Sequence, residues 1–72
     1  PELSVVFFEA PHRIAKTVTE LQNLVSSPIV VFRELTKMHQ ETLVGPPGEL
    51  IPRLTHPLGE FTIVVPTKEV NE

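Results

Sequence analysis

Apolar and polar positions alternate in blocks along the chain, and these blocks predict the order of its strands and helices. A continuous apolar run at residues 3–8 indicates a strand that is covered on both faces. Apolar residues then recur at the spacing of one helix face, at Ile14, Val18, Leu21 and Val25. Pro11 precedes this stripe, and proline is favoured at the first position of a helix because its missing N–H would be unpaired there anyway. The pattern therefore predicts a strand followed by a helix that packs on the sheet.

The remaining blocks predict three more strands and one short helix. Strands are expected at residues 29–33, 41–44 and 59–65, with a hairpin turn at residues 36–40. In the strand at residues 59–65, Phe61, Ile63 and Val65 fall on one face. Residues 49–54 allow only a turn or two of helix, because a proline at position 52 removes one intrahelical hydrogen bond. The order is β-α-β-β-α-β, which indicates a single small α/β domain whose mixed sheet is flanked by helices.

Charged residues follow the first and second strands directly. A helix carries the chain back between these strands, so both run in the same direction and their carboxyl ends share one edge of the sheet. Ligand crevices usually form at such an edge, and the amino end of the first helix also points its free N–H groups there. The residues expected to converge are Glu9, His12 and Arg13 after the first strand, and Arg33, Glu34, Thr36 and Lys37 after the second.

Composition points to an ordinary globular chain. Of its 72 residues 40% are hydrophobic, and no apolar run approaches the length of about 20 residues that spans a bilayer. A cytoplasmic protein with no membrane partner is therefore expected.

A chain of this size buries only roughly 60% of its unfolded surface, which predicts that the chain by itself is marginally stable. Since the chain begins with Pro1 and opens almost directly on a strand, we interpret it as a piece of a longer protein.

Missing residue types exclude several kinds of site. There is no cysteine, which excludes disulfides and thiolate chemistry, and all nine acidic residues are glutamate, which excludes aspartate-based magnesium or calcium loops. His39 and His56 lack a metal-ligand spacing with His12, so both are expected on the surface and no metal is expected. The net charge of −3 argues against a free-standing nucleic-acid binder.

Structural roles compete with functional ones at the charged residues. His12 is in a position typical of a capping or surface histidine, and Lys37 could be an ordinary hairpin lysine. Glu9 and Arg13 are four residues apart and could simply pair across the helix start. Arg33 and the glutamate that follows it could form a similar pair at the end of a strand. At the level of the whole chain, an RRM-like RNA-binding module and a ligand-sensing or oligomerising module remain alternatives, because the element order permits both.

Two short motifs carry a family resemblance. FEAPHR at residues 8–13 and RELTKMH at residues 33–39 lie about twenty residues apart and are followed by Gly45 and by Glu49-Leu50. This arrangement resembles the carboxyl-terminal domain of small-subunit ribosomal RNA (cytidine-2′-O-)methyltransferases, which belong to the tetrapyrrole methylase superfamily. The resemblance covers residues 3–65. The chain differs from the usual pattern at Phe8, where tyrosine is common, at Gln40, where glutamate is common, and at Pro46-Pro47.

The resemblance implies that residues 1–72 are the carboxyl-terminal half of a two-domain enzyme. Proteins of this family hold S-adenosyl-L-methionine between two domains, and the amino-terminal domain with the cofactor motif is not in this sequence. The full-length protein is then expected to be an active methyltransferase and a homodimer, with small-subunit ribosomal RNA as substrate. The fragment alone is expected to be inactive.

The resemblance also suggests roles for residues at the shared edge, where a 2′-hydroxyl must lose its proton during methyl transfer. Glu9 and Lys37 are candidates for the catalytic base. The residues implied at the cofactor are Ala10, Pro11, Leu35 and Thr36, and those implied at the RNA are His12, Arg13 and Arg33. Within the superfamily the alternative substrate is a porphyrin-like ring, but such a ring would favour an apolar edge, and this edge is charged.

Overall fold

The computed structural model describes residues 3–55 and 58–67, which form one sheet with both helices on the same face. The strands are β1 (Leu3–Glu9), β2 (Ile29–Thr36), β3 (His39–Gly45) and β4 (Glu60–Thr67). The helices are α1 (Ile14–Gln22) and α2 (Pro47–Leu50). A 3₁₀ turn at Pro11–Arg13 leads into α1, and another at Ile51–Leu54 follows α2. The predicted α/β class and the β-α-β-β-α-β order are confirmed.

The sheet has the strand order β1-β4-β2-β3. Both β1 and β2 pair antiparallel with β4, so they run in the same direction, as the crossover predicts. The expected mixed pairing does not occur in this sheet, because β4 lies between the two co-directional strands and β3 folds back on β2 as a hairpin. β4 is therefore the strand that joins β1 to the hairpin of β2 and β3.

Hydrophobic residues from both helices and from β2, β3 and β4 form the core, and Phe7 of β1 packs against it partly buried. Ile14 and Val18 of the predicted helical stripe are buried, and Leu21 and Val25 pack partly buried against them, although α1 already ends at Gln22. The buried residues of the strands and of the second helical segment are Ile29, Val31, Leu43, Leu50, Leu54, Phe61, Ile63 and Val65. The prediction that residues 61, 63 and 65 share one face of β4 is confirmed, and this face is the buried one.

The opposite face of the sheet remains exposed along the described residues. Val6, Phe8, Phe32 and Val44 lie on this face and are each at least 45% exposed. The expectation that the first strand is covered on both faces is therefore wrong for this chain, because β1 is an edge strand with helices on one side only. Its apolar outer positions do not contribute to the core.

Two local predictions were imprecise at their boundaries. The hairpin turn is shorter than expected, since β2 continues to Thr36 and β3 already begins at His39. The second helix begins earlier, at Pro47, and changes to a 3₁₀ turn from Ile51 onwards. Pro52 falls in this 3₁₀ turn, as expected from the α-helical hydrogen bond that proline cannot donate.

Candidate functional site

An open cavity of about 550 Å³ lies where β1 and β2 end and β4 begins. Its walls include Glu9 and Ala10 from the first predicted motif and Arg33 from the second, together with the carboxylates of Glu34 and Glu60. The volume is within the usual range of small-ligand sites, about 300–1,000 Å³. Residues from both motifs therefore line one cavity, at the edge where the sequence predicts a site.

Phe61 lies between the charged residues of the two motifs. Its backbone pairs with Glu9 on one side and with Arg33 on the other. Two strand spacings, about 10 Å in total, therefore separate Glu9 from Arg33. Phe61 itself is buried, so Glu9 and Arg33 flank a residue of the hydrophobic core.

The carboxylate of Glu9 is held by residues on three successive segments. Oε1 accepts the backbone N–H of Ala10 at 3.1 Å and lies 3.4 Å from Nε of Arg13. Oε2 accepts the hydroxyl of Thr17, on α1, at 2.5 Å. The side chain of Glu9 is only 14% exposed. The carboxylate thus joins the end of β1 to the 3₁₀ turn and to the helix.

These contacts lower the pKa of Glu9. The hydrogen bond from Thr17 makes the largest contribution, and the Ala10 N–H and the Arg13 guanidinium add to it, whereas partial burial acts in the opposite direction. Each favourable contact stabilises the ionised carboxylate. A carboxylate with a lowered pKa is a weaker proton acceptor, so the geometry favours a holding role for Glu9 over the role of general base.

Arg33 is also held by several partners. Its Nε donates to the carbonyl oxygen of Leu58 at 2.8 Å, and its Nη1 lies 3.4 Å from Oε1 of Glu41. The centre of its guanidinium lies 5.6 Å from the centroid of the Phe61 ring, a cation–π contact. The Arg33 side chain is 12% exposed. These contacts support a structural role for Arg33, which also lines the cavity.

Other predicted site residues lie near this cavity without lining it. Pro11, His12 and Arg13 form the 3₁₀ turn after β1, where His12 is exposed and the Arg13 side chain is 54% exposed. Of the four residues implied at the cofactor, Ala10 alone is in the cavity wall. Pro11, Leu35 and Thr36 border the same edge.

The tip of the β2–β3 hairpin carries the rest of the second motif. Thr36 accepts the backbone N–H of Met38 at 3.1 Å, and its hydroxyl lies 3.1 Å from Nδ1 of His39. Lys37 is exposed in the turn itself. The Thr36 hydroxyl thus helps to shape the turn, whereas Lys37 is exposed to solvent.

Sequence reasoning missed Thr17 and did not assign Phe61 to the site. Thr17 is four residues after Arg13, so the two side chains lie on the same side of the helical segment, and this spacing was the available signal. Phe61 was expected only to share a face with Ile63 and Val65, and it is buried in the core. Its position between Glu9 and Arg33 depends on strand pairing, which carries no local signal.

No group of three or more His, Cys, Asp or Glu side chains is placed to hold a metal ion within residues 3–55 and 58–67. His39 is exposed on the hairpin, as expected, whereas His56 lies outside the described residues. Neither α1 nor α2, the helices that the structure describes, is long and apolar enough to cross a membrane.

Comparison with known proteins finds similar proteins in several bacteria, all named ribosomal RNA small subunit methyltransferase I. The protein of that name from Coprothermobacter proteolyticus is 41% identical over 69 residues, which is 93% of this chain and 31% of the relative. The one from Thermotoga maritima is 37% identical over 68 residues, 90% of this chain and 31% of the relative. The one from Bacillus subtilis is 35% identical over 65 residues, 86% of this chain and 22% of the relative.

The chain spans less than a third of the length of these relatives, and the match lies in their carboxyl-terminal part. No protein-family model matches the chain. The similarity nevertheless extends over nearly all of the described fold, including the cavity edge and both motifs.

Proposed function

We propose that this chain is the carboxyl-terminal domain of a longer methyltransferase of the tetrapyrrole methylase superfamily that acts on small-subunit ribosomal RNA. The observation that carries the proposal is the similarity of almost the whole chain to proteins named ribosomal RNA small subunit methyltransferase I. The convergence of both motifs on one cavity edge supports it, because a site residue must lie where a ligand can reach it. An RNA substrate also favours a cytoplasmic location.

The proposed reaction transfers a methyl group to the 2′-hydroxyl of a cytidine ribose. S-adenosyl-L-methionine is the proposed methyl donor and would carry a positive sulfonium group. The negative charge of the cavity wall suits a cationic ligand, because several glutamates line the cavity, Glu34 and Glu60 among them. Ala10 would border the cofactor from the cavity wall, and Pro11, Leu35 and Thr36 from the neighbouring edge. The domain that precedes this one in a full-length enzyme would have to supply the remaining contacts.

The exposed basic residues of the two motifs are the proposed contacts to RNA. Arg13 presents a half-exposed guanidinium at the edge, and His12 and Lys37 lie exposed beside the two motifs. Guanidinium and ammonium groups bind phosphate oxygens, which would position the ribose hydroxyl for transfer. Positioning of this kind supplies much of the acceleration in an in-line displacement. Glu9 and Lys37 are the two candidates for the base, and the lowered pKa disfavours Glu9. Because an ammonium group that binds phosphate cannot also accept the hydroxyl proton, the base role and the phosphate contact are alternative roles for Lys37.

The test is methyl transfer by the full-length protein that contains this domain. Labelled S-adenosyl-L-methionine is incubated with small ribosomal subunits, and the modified nucleotide is identified by mass spectrometry. We expect a 2′-O-methylcytidine in the RNA from the full-length protein. The chain of 72 residues alone should transfer nothing and should show no micromolar binding of the donor by calorimetry, because half of the proposed cleft is missing. An active fragment would contradict the two-domain proposal.

Arg13→Ala and Lys37→Ala in the full-length protein should each lower kcat/KM for the RNA by at least about tenfold, equivalent to ~1.4 kcal/mol of transition-state binding. The melting temperature should change little, because both side chains are largely exposed. Lys16→Ala is the matched control, since Lys16 is exposed on α1, outside both motifs. Equal small effects at all three positions would mean that the motif cations only form an ordinary charged surface.

A further inference from the structure

The hydroxyl of Thr17 has an unusual partner for a helical threonine. Threonine hydroxyls inside helices commonly bond the carbonyl one turn earlier, as Thr19 does with the carbonyl oxygen of Ala15 at 2.7 Å. Thr17 instead donates to Oε2 of Glu9, at the end of the preceding strand. Two threonines on the same helix therefore use their hydroxyls differently, and only the contact of Thr17 reaches the candidate site.

The Glu9 carboxylate contacts both Thr17 and Arg13 and so links the two side chains. One of its oxygens accepts the Thr17 hydroxyl and the other lies beside Nε of Arg13. The orientation of the carboxylate therefore sets the position of the oxygen that pairs with Arg13. Glu9 is mostly covered, whereas Arg13 is half exposed. We propose that Thr17 is a positioning residue: it fixes the Glu9 carboxylate, which in turn holds the Arg13 guanidinium at the edge of the cavity for contact with an RNA phosphate.

The part of this inference that concerns RNA rests on the proposed function, whereas the coupling from Thr17 to Arg13 does not. A merely structural Thr17 would contribute to the stability of α1 and leave Arg13 where it is. The pKa of Glu9 separates these roles only in part, because the Thr17 hydrogen bond lowers it in either case. The state of the Arg13 side chain is the property that the two roles predict differently.

The first experiment is NMR of the chain itself. In Thr17→Val we expect the Glu9 pKa to rise toward the ordinary glutamate value of 4.5, and we expect the Arg13 Nε proton to exchange faster with water by about threefold or more, as its ion pair loosens. Thr17→Ser should restore both properties, because serine supplies the same hydroxyl. Thr19→Val is the control and should alter neither. An unchanged Arg13 exchange rate in a folded Thr17→Val chain would overturn the proposal.

The second experiment uses the full-length protein. Thr17→Val should raise KM for RNA by about fivefold with little change in kcat, since it weakens a binding contact without removing it. Thr17→Ser should return KM to normal, and Thr19→Val should leave it unchanged. If Thr17→Val does not fold, the comparison is made with Thr17→Ala. Unchanged KM in an active, folded variant would overturn the role of Thr17 in RNA binding. A full-length protein without RNA methylation would reject the proposed function instead, and the NMR result would still decide whether Thr17 positions Arg13.

Discussion

Replacing Phe61 by alanine will destabilise the chain by about 3–5 kcal/mol, the usual cost of deleting a buried phenylalanine ring. Phe61 is 1% exposed and belongs to the core, and the guanidinium of Arg33 packs over its ring. A chain of 72 residues is expected to have roughly 4–11 kcal/mol of stability in total. The substitution therefore removes a large part of the free energy of folding. Urea unfolding followed by circular dichroism is the measurement, since the chain has neither Trp nor Tyr for fluorescence.

Phe8→Ala is the matched control for this substitution. Phe8 is the same residue type in the neighbouring strand, but it is 81% exposed on the open face of the sheet. Its replacement should change the free energy of unfolding by about 0.5 kcal/mol or less, as is usual at exposed positions. Similar losses from both substitutions would show that the helix-covered face is not the main source of stability.

Gly59→Ala will destabilise the chain by about 1–3 kcal/mol, because alanine is strained at this backbone conformation. Gly59 has a φ of 91°, in the region that favours glycine. A Cβ atom there would lie 2.4 Å from the carbonyl oxygen of Glu34, a backbone atom that cannot move aside independently. Since Glu34 is at the cavity wall, the substitution should also disturb the site. The free energy is again measured by urea unfolding.

Gly48→Ala provides the contrast for Gly59→Ala. Gly48 lies inside α2, and a Cβ there would meet only the flexible side chain of Gln22, at 3.6 Å or more. Alanine is the better helix former, so this substitution should be neutral or stabilise the chain by up to about 1 kcal/mol. A stable Gly59→Ala chain with an unstable Gly48→Ala chain would contradict the described backbone at both positions.

Local sequence patterns were sufficient for most of the elements. The stripe from Ile14 to Val25 identified the buried side of α1, and the alternation in β4 placed Phe61 on one face with Ile63 and Val65. These predictions held because the period of the apolar residues follows directly from helix and strand geometry. Boundaries were less exact, as at the hairpin, where pairing extends both strands beyond their apolar cores.

The candidate site was predicted only in outline. The crossover between β1 and β2 makes both strands end at one edge, and this placed Glu9 and Arg33 together without knowledge of strand order. The partners of these two residues were not predictable in the same way. Thr17, Glu41 and Leu58 hold them through contacts between residues that are eight or more positions apart in the chain.

The sequence by itself determined the α/β class, the order of the elements, the inward face of α1 and the shared edge of the two motifs, because these follow from short-range periodicity and from the crossover between β1 and β2. Only the tertiary structure decided that β4 lies between β1 and β2, that Phe61 separates Glu9 from Arg33, and that the outer face of β1 is exposed. The physical reason is that strand pairing is settled by competition among distant segments for the same backbone hydrogen bonds and the same core. An apolar strand pattern shows that a segment can be buried, but it does not show which neighbour will bury it.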